Sequence, residues 1–120
     1  YDGIRDVLDA PDVRAMFTQA SERQAKLGRI LVLSDAAHSI GSTYHRRPNG
    51  QWADVTVFSF HSVKNITTGE GGAVILNLPA PFDNDAERLF LRTFSLNGQT
   101  KSAFEKNQSG GWRYDIITRV

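Results

Sequence analysis

Three short apolar runs constrain the fold of this 120-residue chain more than any other feature. They occupy residues 30–34, 55–60 and 72–77, and the first two together are rich in β-branched and aromatic side chains. Runs of this length between turn residues are typical of strands, and the first two are apolar enough to be buried on both faces. Because a sheet buried on both faces needs helices to cover it, the predicted fold class is α/β.

Helical spacing of apolar residues predicts two helices around these strands. The first should run over about residues 11–26 with Gly28 just beyond it, and its apolar stripe consists of Val13, Met16, Phe17 and Ala20. The second should run from about Phe82 to a stop near Gly98. Residues 44–51 contain a proline, an asparagine and a glycine, which predict a surface loop or small hairpin. The polar residues 99–111 are predicted to be mobile unless a substrate or partner subunit orders them.

An acidic and a basic residue that could take part in catalysis follow the first two predicted strands. Asp35 ends the first apolar run in ILVLSDAAHS, and Lys64 follows the second in SFHSVKNITTGEGG, residues 59–72. Ligands of open α/β sheets bind at the carboxyl ends of strands, where this lysine could form a Schiff base with a cofactor aldehyde. Ser59 could then hold a phosphate, and Asp35 could keep a pyridine nitrogen protonated. The alternatives are a solvated lysine and a helix-capping aspartate.

Together the two segments resemble the sugar aminotransferases of the DegT/StrS type, the DegT/DnrJ/EryC/StrS family. The shared pattern is an aspartate followed by two small residues and a glutamine or histidine, here His38, and then the long serine-to-glycine motif. Asp35 and Lys64 are 29 positions apart, which also fits the family. Looser similarity at residues 52–54 and 112–115 extends the resemblance over most of residues 30–120.

The resemblance implies a role for each matched residue around pyridoxal 5′-phosphate (PLP). Lys64 would carry the cofactor aldehyde and move the proton of transamination, and Asp35 would pair with the ring nitrogen. Ser59 would bind the phosphate, and His38 would contact the ring. As alternatives, His38 is a hydrogen-bonded histidine in a helical turn, and Ser59 is a small residue that closes a strand. For His61 we expect a structural hydrogen bond.

The same resemblance implies a fold and a reaction. Residues 1–120 would be part of the large, PLP-binding domain of a fold-type I transferase with a mostly parallel, mixed sheet. An N-terminal segment and a C-terminal small domain would be absent, and the segment alone would be inactive. The expected enzyme transfers an amino group from glutamate to a nucleotide-linked keto sugar in amino-sugar and polysaccharide biosynthesis. It would be a cytoplasmic homodimer.

Two other functions remain open at this point. Some related proteins replace the lysine by histidine and dehydrate sugars; this chain keeps Lys64, which favours amino transfer. A related PLP enzyme that performs elimination or aromatisation with the same lysine is nevertheless an alternative. The second alternative is a non-catalytic module in which residues 69–72 cradle a phosphate.

Composition excludes several further classes. The chain has no cysteine, which removes disulfides and thiolate zinc sites, and we predict no metal site. The net charge is +1, and Arg46 and Arg47 form a short basic cluster without interleaved aromatic residues, so no nucleic-acid partner is predicted. No apolar run approaches the ~20 residues of a membrane span, and no membrane partner is expected.

Overall fold

The computed structural model describes residues 1–99, so most of the segment predicted to be mobile, residues 99–111, lies outside the described part. The chain divides into two compact units, Tyr1–Phe82 and Asp83–Val120. The elements of the first unit are α1 Asp2–Asp9, α2 Pro11–Ala15, α3 Glu22–Leu27, β1 Leu33–Asp35, β2 Thr43–Tyr44, β3 Arg47–Pro48, β4 Val55–Ser59 and β5 Gly72–Leu76; the second contains α4 Asn84–Ser95.

A mixed sheet with the order β1-β4-β5 forms the centre of the first unit. β1 is parallel to β4, and β5 is antiparallel to β4. The predicted α/β class with a mixed sheet is therefore confirmed, as is the third strand. β2 and β3 form a separate antiparallel hairpin, which confirms the small hairpin predicted near residues 44–51.

The prediction that the first two strands are buried on both faces is wrong for this chain. Burial alternates along β4, where Thr56 and Phe58 are 0% and 7% exposed but Val57 is 38% exposed. Leu33 on β1 is 61% exposed and Val74 on β5 is 53% exposed. Since side chains alternate between the faces of a sheet, one face is covered and the other is largely open. The first strand also starts later than predicted, at Leu33, and includes Asp35.

The single helix predicted over residues 11–26 is also wrong, because the structure has two short helices there. α2 ends at Ala15, and α3 begins after Ser21, whose side chain accepts a hydrogen bond from the N–H of Gln24. Gln24 Oε1 in turn accepts from the N–H of Ala20 at 2.7 Å, so local capping starts a new helix. Gly28 ends α3 with a φ of 67°, as predicted. α1 is an additional helix that the apolar spacing did not predict.

The second predicted helix is confirmed with slightly shifted ends. α4 begins at Asn84, because the Asp83 side chain caps it by accepting hydrogen bonds from the N–H groups of Asp85 and Ala86. It ends at Ser95, three residues before Gly98. Within residues 1–99, every helix is too short or too polar to cross a membrane.

A buried ion cluster connects the amino ends of the parallel strands. Asp54, 1% exposed, accepts two hydrogen bonds from the Arg29 guanidinium at 2.7 and 2.8 Å and one from Arg5 of α1 at 2.9 Å. The N–H of Val32 also donates to Asp54, at 2.9 Å. Burial alone would raise the pKa of Asp54, but these hydrogen bonds outweigh burial and lower the pKa to about 2. The cluster thereby fixes the starts of β1 and β4 against α1.

Candidate active site

The loop that carries Lys64 connects β4 to β5 and folds back onto the end of β4. The N–H of Phe60 donates to the carbonyl of Gly71 at 2.8 Å, and the N–H of Lys64 donates to the carbonyl of His61 at 3.0 Å. The return of the chain requires glycine at its end, since a Cβ on Gly72 would lie 2.6 Å from the carbonyl oxygen of Phe58. The loop therefore holds the Lys64 backbone close to the carboxyl end of β4.

Lys64 and His38 meet directly. Nζ of Lys64 lies 2.8 Å from Nε2 of His38, although the residues are 26 positions apart. His38 lies in the turn after β1 and Lys64 in the loop after β4. Because β1 and β4 are parallel, both turns leave the same edge of the sheet, which brings the amine and the imidazole together.

Asp35 is the last residue of β1 and lies opposite Val57 of β4. Its Oδ1 accepts a hydrogen bond from the N–H of Ala37 at 3.0 Å, which fixes the carboxylate beside the turn that carries His38. In the part of the chain that the structure describes, its other oxygen makes no hydrogen bond. The Asp35 carboxylate is thus oriented by the backbone and exposed.

Ser59 is the last residue of β4 and lies on the same face of the sheet as Asp35. Asp35 is paired with Val57, and Ser59 is two residues further along the same strand, so alternation places all three side chains on one face. Ser59 Oγ accepts a hydrogen bond from the N–H of His61 at 3.4 Å. His61 also approaches Glu70, with Nε2 3.6 Å from Oε1. The hydrogen bond to Ser59 comes from the backbone of His61 and the approach to Glu70 is longer than a hydrogen bond, so the structural hydrogen bond expected for the His61 side chain stays a prediction.

A cavity of about 460 Å³ lies on the other face of the sheet. Its lining includes Phe58 of β4, Ala73 and Ile75 of β5, and residues of the β2–β3 hairpin, and it is mainly apolar. The Phe58 side chain lies on the opposite sheet face from Val57, Asp35 and Ser59. None of the four predicted site residues lines the cavity. The polar site is therefore the open edge of the sheet rather than this cavity.

The sequence patterns missed the ion cluster that supports the site from the opposite end of the strands. A signal for it was present: Arg29 immediately precedes the first apolar run, and Asp54 immediately precedes the second. The register places Val32, not Arg29, level with Asp54, and the long Arg29 side chain spans the remaining distance; opposite charges before two parallel strands nevertheless indicate an ion pair at their amino ends. The described residues contain no group of three or more histidine or acidic side chains arranged to hold a metal ion.

Known proteins are similar in sequence to most of this chain. The family model of the DegT/DnrJ/EryC1/StrS aminotransferase family matches residues 18–113. The Bacillus subtilis spore coat polysaccharide biosynthesis protein SpsC is 39% identical over 90 residues, which are 72% of this chain and 21% of that protein. A Campylobacter jejuni UDP-4-amino-4,6-dideoxy-N-acetyl-beta-L-altrosamine transaminase is 51% identical over 53 residues, 44% of this chain and 14% of that enzyme.

Solved structures of aminotransferases are similar in fold to this chain. Streptococcus pneumoniae Spr1654, described as a sugar aminotransferase, matches in its PLP-form with a TM-score of 0.82 and 39% identity, over 100% of this chain and 28% of that one. Its PMP-form matches with a TM-score of 0.83 and 42% identity, over 100% and 30% of the two chains. Helicobacter pylori PseC, an aminotransferase of pseudoaminic acid biosynthesis, matches with a TM-score of 0.55 and 32% identity, over 75% and 21%.

The chain spans about a fifth of the length of the curated relatives that it matches over most of its own length. The family model nevertheless covers far more than half of it, including both polar segments at the carboxyl ends of β1 and β4. The chain belongs to the DegT/DnrJ/EryC1/StrS aminotransferase family.

Proposed function

We propose that the protein containing this chain is a PLP-dependent aminotransferase that acts on a nucleotide-linked keto sugar. Family membership supports amino transfer. The Spr1654 structures support the cofactor, because they represent a PLP-form and a PMP-form. The relatives named as UDP-sugar transaminases support the substrate class. The single observation that carries the proposal is the placement of the Lys64 amine against His38 at the carboxyl edge of the sheet.

The polar groups at this edge fit PLP chemically. PLP has an aldehyde, a pyridine nitrogen and a phosphate, which require an amine, an acid and hydrogen-bond donors respectively. Lys64 supplies the amine, and Asp35 supplies a carboxylate on the same sheet face as Ser59. Ser59 contributes a hydroxyl for the phosphate. His38, at the side of the amine, is our candidate for the ring contact.

Each side chain then has a defined task. When bound, PLP supplies an electron sink for the charge that develops on the substrate carbon. Nζ of Lys64 takes up and delivers the proton that the exchange of amine and ketone requires. Nε2 of His38 holds that nitrogen in place, and the Asp35 carboxylate retains the proton on the ring nitrogen by a charge-assisted hydrogen bond.

Finer features of the proposal depend on the resemblance. We propose glutamate as the amino donor, a homodimer, a cytoplasmic location and a role in amino-sugar and polysaccharide biosynthesis. We also propose that residues 1–120 belong to the large, cofactor-binding domain and are inactive alone. The retained Lys64 and the transaminase relatives favour amino transfer over sugar dehydration or another PLP reaction.

Borohydride reduction of the complete protein after incubation with PLP tests the proposal. We expect a visible absorbance band that is bleached on reduction. The reduced cofactor should then be recovered as a covalent label on Lys64. Lys64→Ala should abolish the band and reduce turnover by several orders of magnitude, since the nucleophile and proton carrier are both lost. Lys26→Ala, an exposed lysine of α3 whose Nζ lies 4.6 Å from the Phe82 ring centroid, is the matched control; it should keep the band and the turnover and lower stability by no more than about 1 kcal/mol.

Three outcomes separate the candidate functions. An aminated sugar product supports the aminotransferase. A dehydrated sugar, with the lysine still labelled, would instead favour elimination. Phosphate or nucleotide binding without any label on Lys64 would favour the non-catalytic module and reject the PLP assignment.

A further inference from the structure

One backbone carbonyl accepts two of the hydrogen bonds that close the Lys64 loop. Phe60, the first residue after β4, accepts two hydrogen bonds at its carbonyl oxygen. The N–H of Thr68 donates to it at 3.0 Å, and the Thr67 hydroxyl donates to it at 3.1 Å. Residues 61–66, which include Lys64, are the segment enclosed by these bonds. The position of the amine is therefore coupled to the closure of the loop at Phe60.

Thr67 connects the two arms of this loop through one oxygen. Its Oγ1 donates to the Phe60 carbonyl on the outgoing arm and accepts from the N–H of Gly69 on the returning arm, at 2.9 Å. Gly69 has a φ of 82°, in the left-handed region, so the returning arm turns sharply at this residue. A hydroxyl that both donates and accepts can hold such a turn against the strand end, whereas an apolar side chain cannot.

The neighbouring Thr68 makes a different contact. Its hydroxyl donates to the carbonyl of Glu70 at 2.8 Å, two residues away on the same arm. Only its backbone N–H reaches Phe60, and that bond does not depend on the side chain. The two adjacent threonines therefore differ in one respect: the hydroxyl of Thr67 bridges the arms and the hydroxyl of Thr68 does not.

From these contacts we infer that Thr67 is a positioning residue for Lys64, acting through the Phe60 carbonyl and the loop that it closes. The inference rests on the proposed function of Lys64. Loss of the Thr67 hydroxyl leaves the Gly69 N–H without its acceptor and removes one of the two bonds at Phe60. The loop then holds Lys64 less firmly against His38. A displacement of about 1 Å at a reacting group can reduce turnover about 100-fold.

The experiment compares Thr67→Val, Thr67→Ser and Thr68→Val in the complete, PLP-loaded protein. Three quantities are measured: kcat and KM for the amino donor, the pH midpoint of the visible band, and the unfolding midpoint. Thr67→Val should lower kcat about 10- to 100-fold, leave KM within about twofold and shift the pH midpoint of the band. Thr67→Ser should have a kcat and a pH midpoint of the band close to those of the wild type, because serine keeps the hydroxyl. Thr68→Val should stay close to the wild type.

The outcomes for the inference and for the proposed function are separable. If the wild-type protein does not retain PLP on Lys64 after reduction, the proposed function fails before any variant is compared. If the wild type does retain it, wild-type kcat and band titration in Thr67→Val would overturn the positioning role. Equal losses in Thr67→Val and Thr68→Val, or no recovery in Thr67→Ser, would also overturn it. Should Thr67→Val not fold, Thr67→Ala and Thr68→Ala provide the same comparison.

Discussion

Nζ of Lys64 lies 2.8 Å from Nε2 of His38 at the carboxyl edge of the mixed sheet. A lysine ammonium has three N–H donors and no acceptor, so in that state Nε2 of His38 must accept. The neutral imidazole then carries its proton on Nδ1. The pair consequently defines both the direction of the lysine side chain and the tautomer of the histidine.

Replacement of His38 should impair the reaction according to what the new side chain can accept. His38→Ala removes the partner of Nζ, and we expect kcat/KM to fall about 10- to 100-fold because Lys64 is then less well oriented. His38→Gln keeps an acceptor oxygen and should retain most of the activity. Steady-state kinetics of the complete protein with PLP test both variants. Wild-type kcat/KM in His38→Ala would contradict the role of the pair.

Asp35→Asn should slow the reaction but leave the stability of the fold nearly unchanged. The amide oxygen can still accept from the N–H of Ala37, so the unfolding midpoint should change little. An amide cannot keep the ring nitrogen protonated, and loss of a hydrogen bond to a charged group costs about 1.5–3 kcal/mol, or about 10- to 150-fold in rate. Unchanged kinetics in this variant would reject the proposed pairing of Asp35 with the cofactor ring.

The free energy of unfolding should fall at low pH because Asp54 becomes protonated. Its pKa is about 2 in the folded chain, below the ordinary value of 3.8, so the unfolded chain binds the proton more readily between these values. The contribution, about 2 kcal/mol, is complete above about pH 5 and is lost as the pH falls from about 4 towards 2.

Urea unfolding measured across this acid range tests the contribution of Asp54. In Asp54→Asn this part of the pH dependence should flatten, and stability at neutral pH should fall by about 3 kcal/mol, because the buried Arg29 loses its counter-charge. Asp6→Asn, which changes an exposed aspartate of α1, is the matched control and should follow the wild-type curve. A wild-type slope in Asp54→Asn would rule out the ion cluster as its cause.

Thr56→Val should stabilise the protein. Thr56 is 0% exposed, and its hydroxyl has no hydrogen-bond partner in the part of the chain that the structure describes. Because a buried hydroxyl without a partner is costly, valine should raise the free energy of unfolding by about 1 kcal/mol. Ser34→Ala is the matched control on the adjacent strand. It should destabilise, since Ser34 Oγ is hydrogen-bonded to the Tyr1 hydroxyl at 2.9 Å.

The sequence by itself determined the α/β class, the third strand, the hairpin and α4. Each depends on local information: apolar runs of strand length, a turn cluster around Asn49, and helical spacing that ends near Gly98. The motif around Lys64 also identified the family, which the family model confirms over residues 18–113. The individual roles of the site residues stay predictions.

Other features were decided only by the tertiary structure. Ser21 and Gln24 divide a predicted helix because their side chains form a local cap, which competes with helical spacing. The contact between Lys64 and His38 requires β1 and β4 to pair in parallel and in one register. This pairing joins segments that are far apart in the sequence. Spacing along the chain specifies local conformation, whereas the free energy that selects strand pairing comes from contacts between residues far apart in sequence.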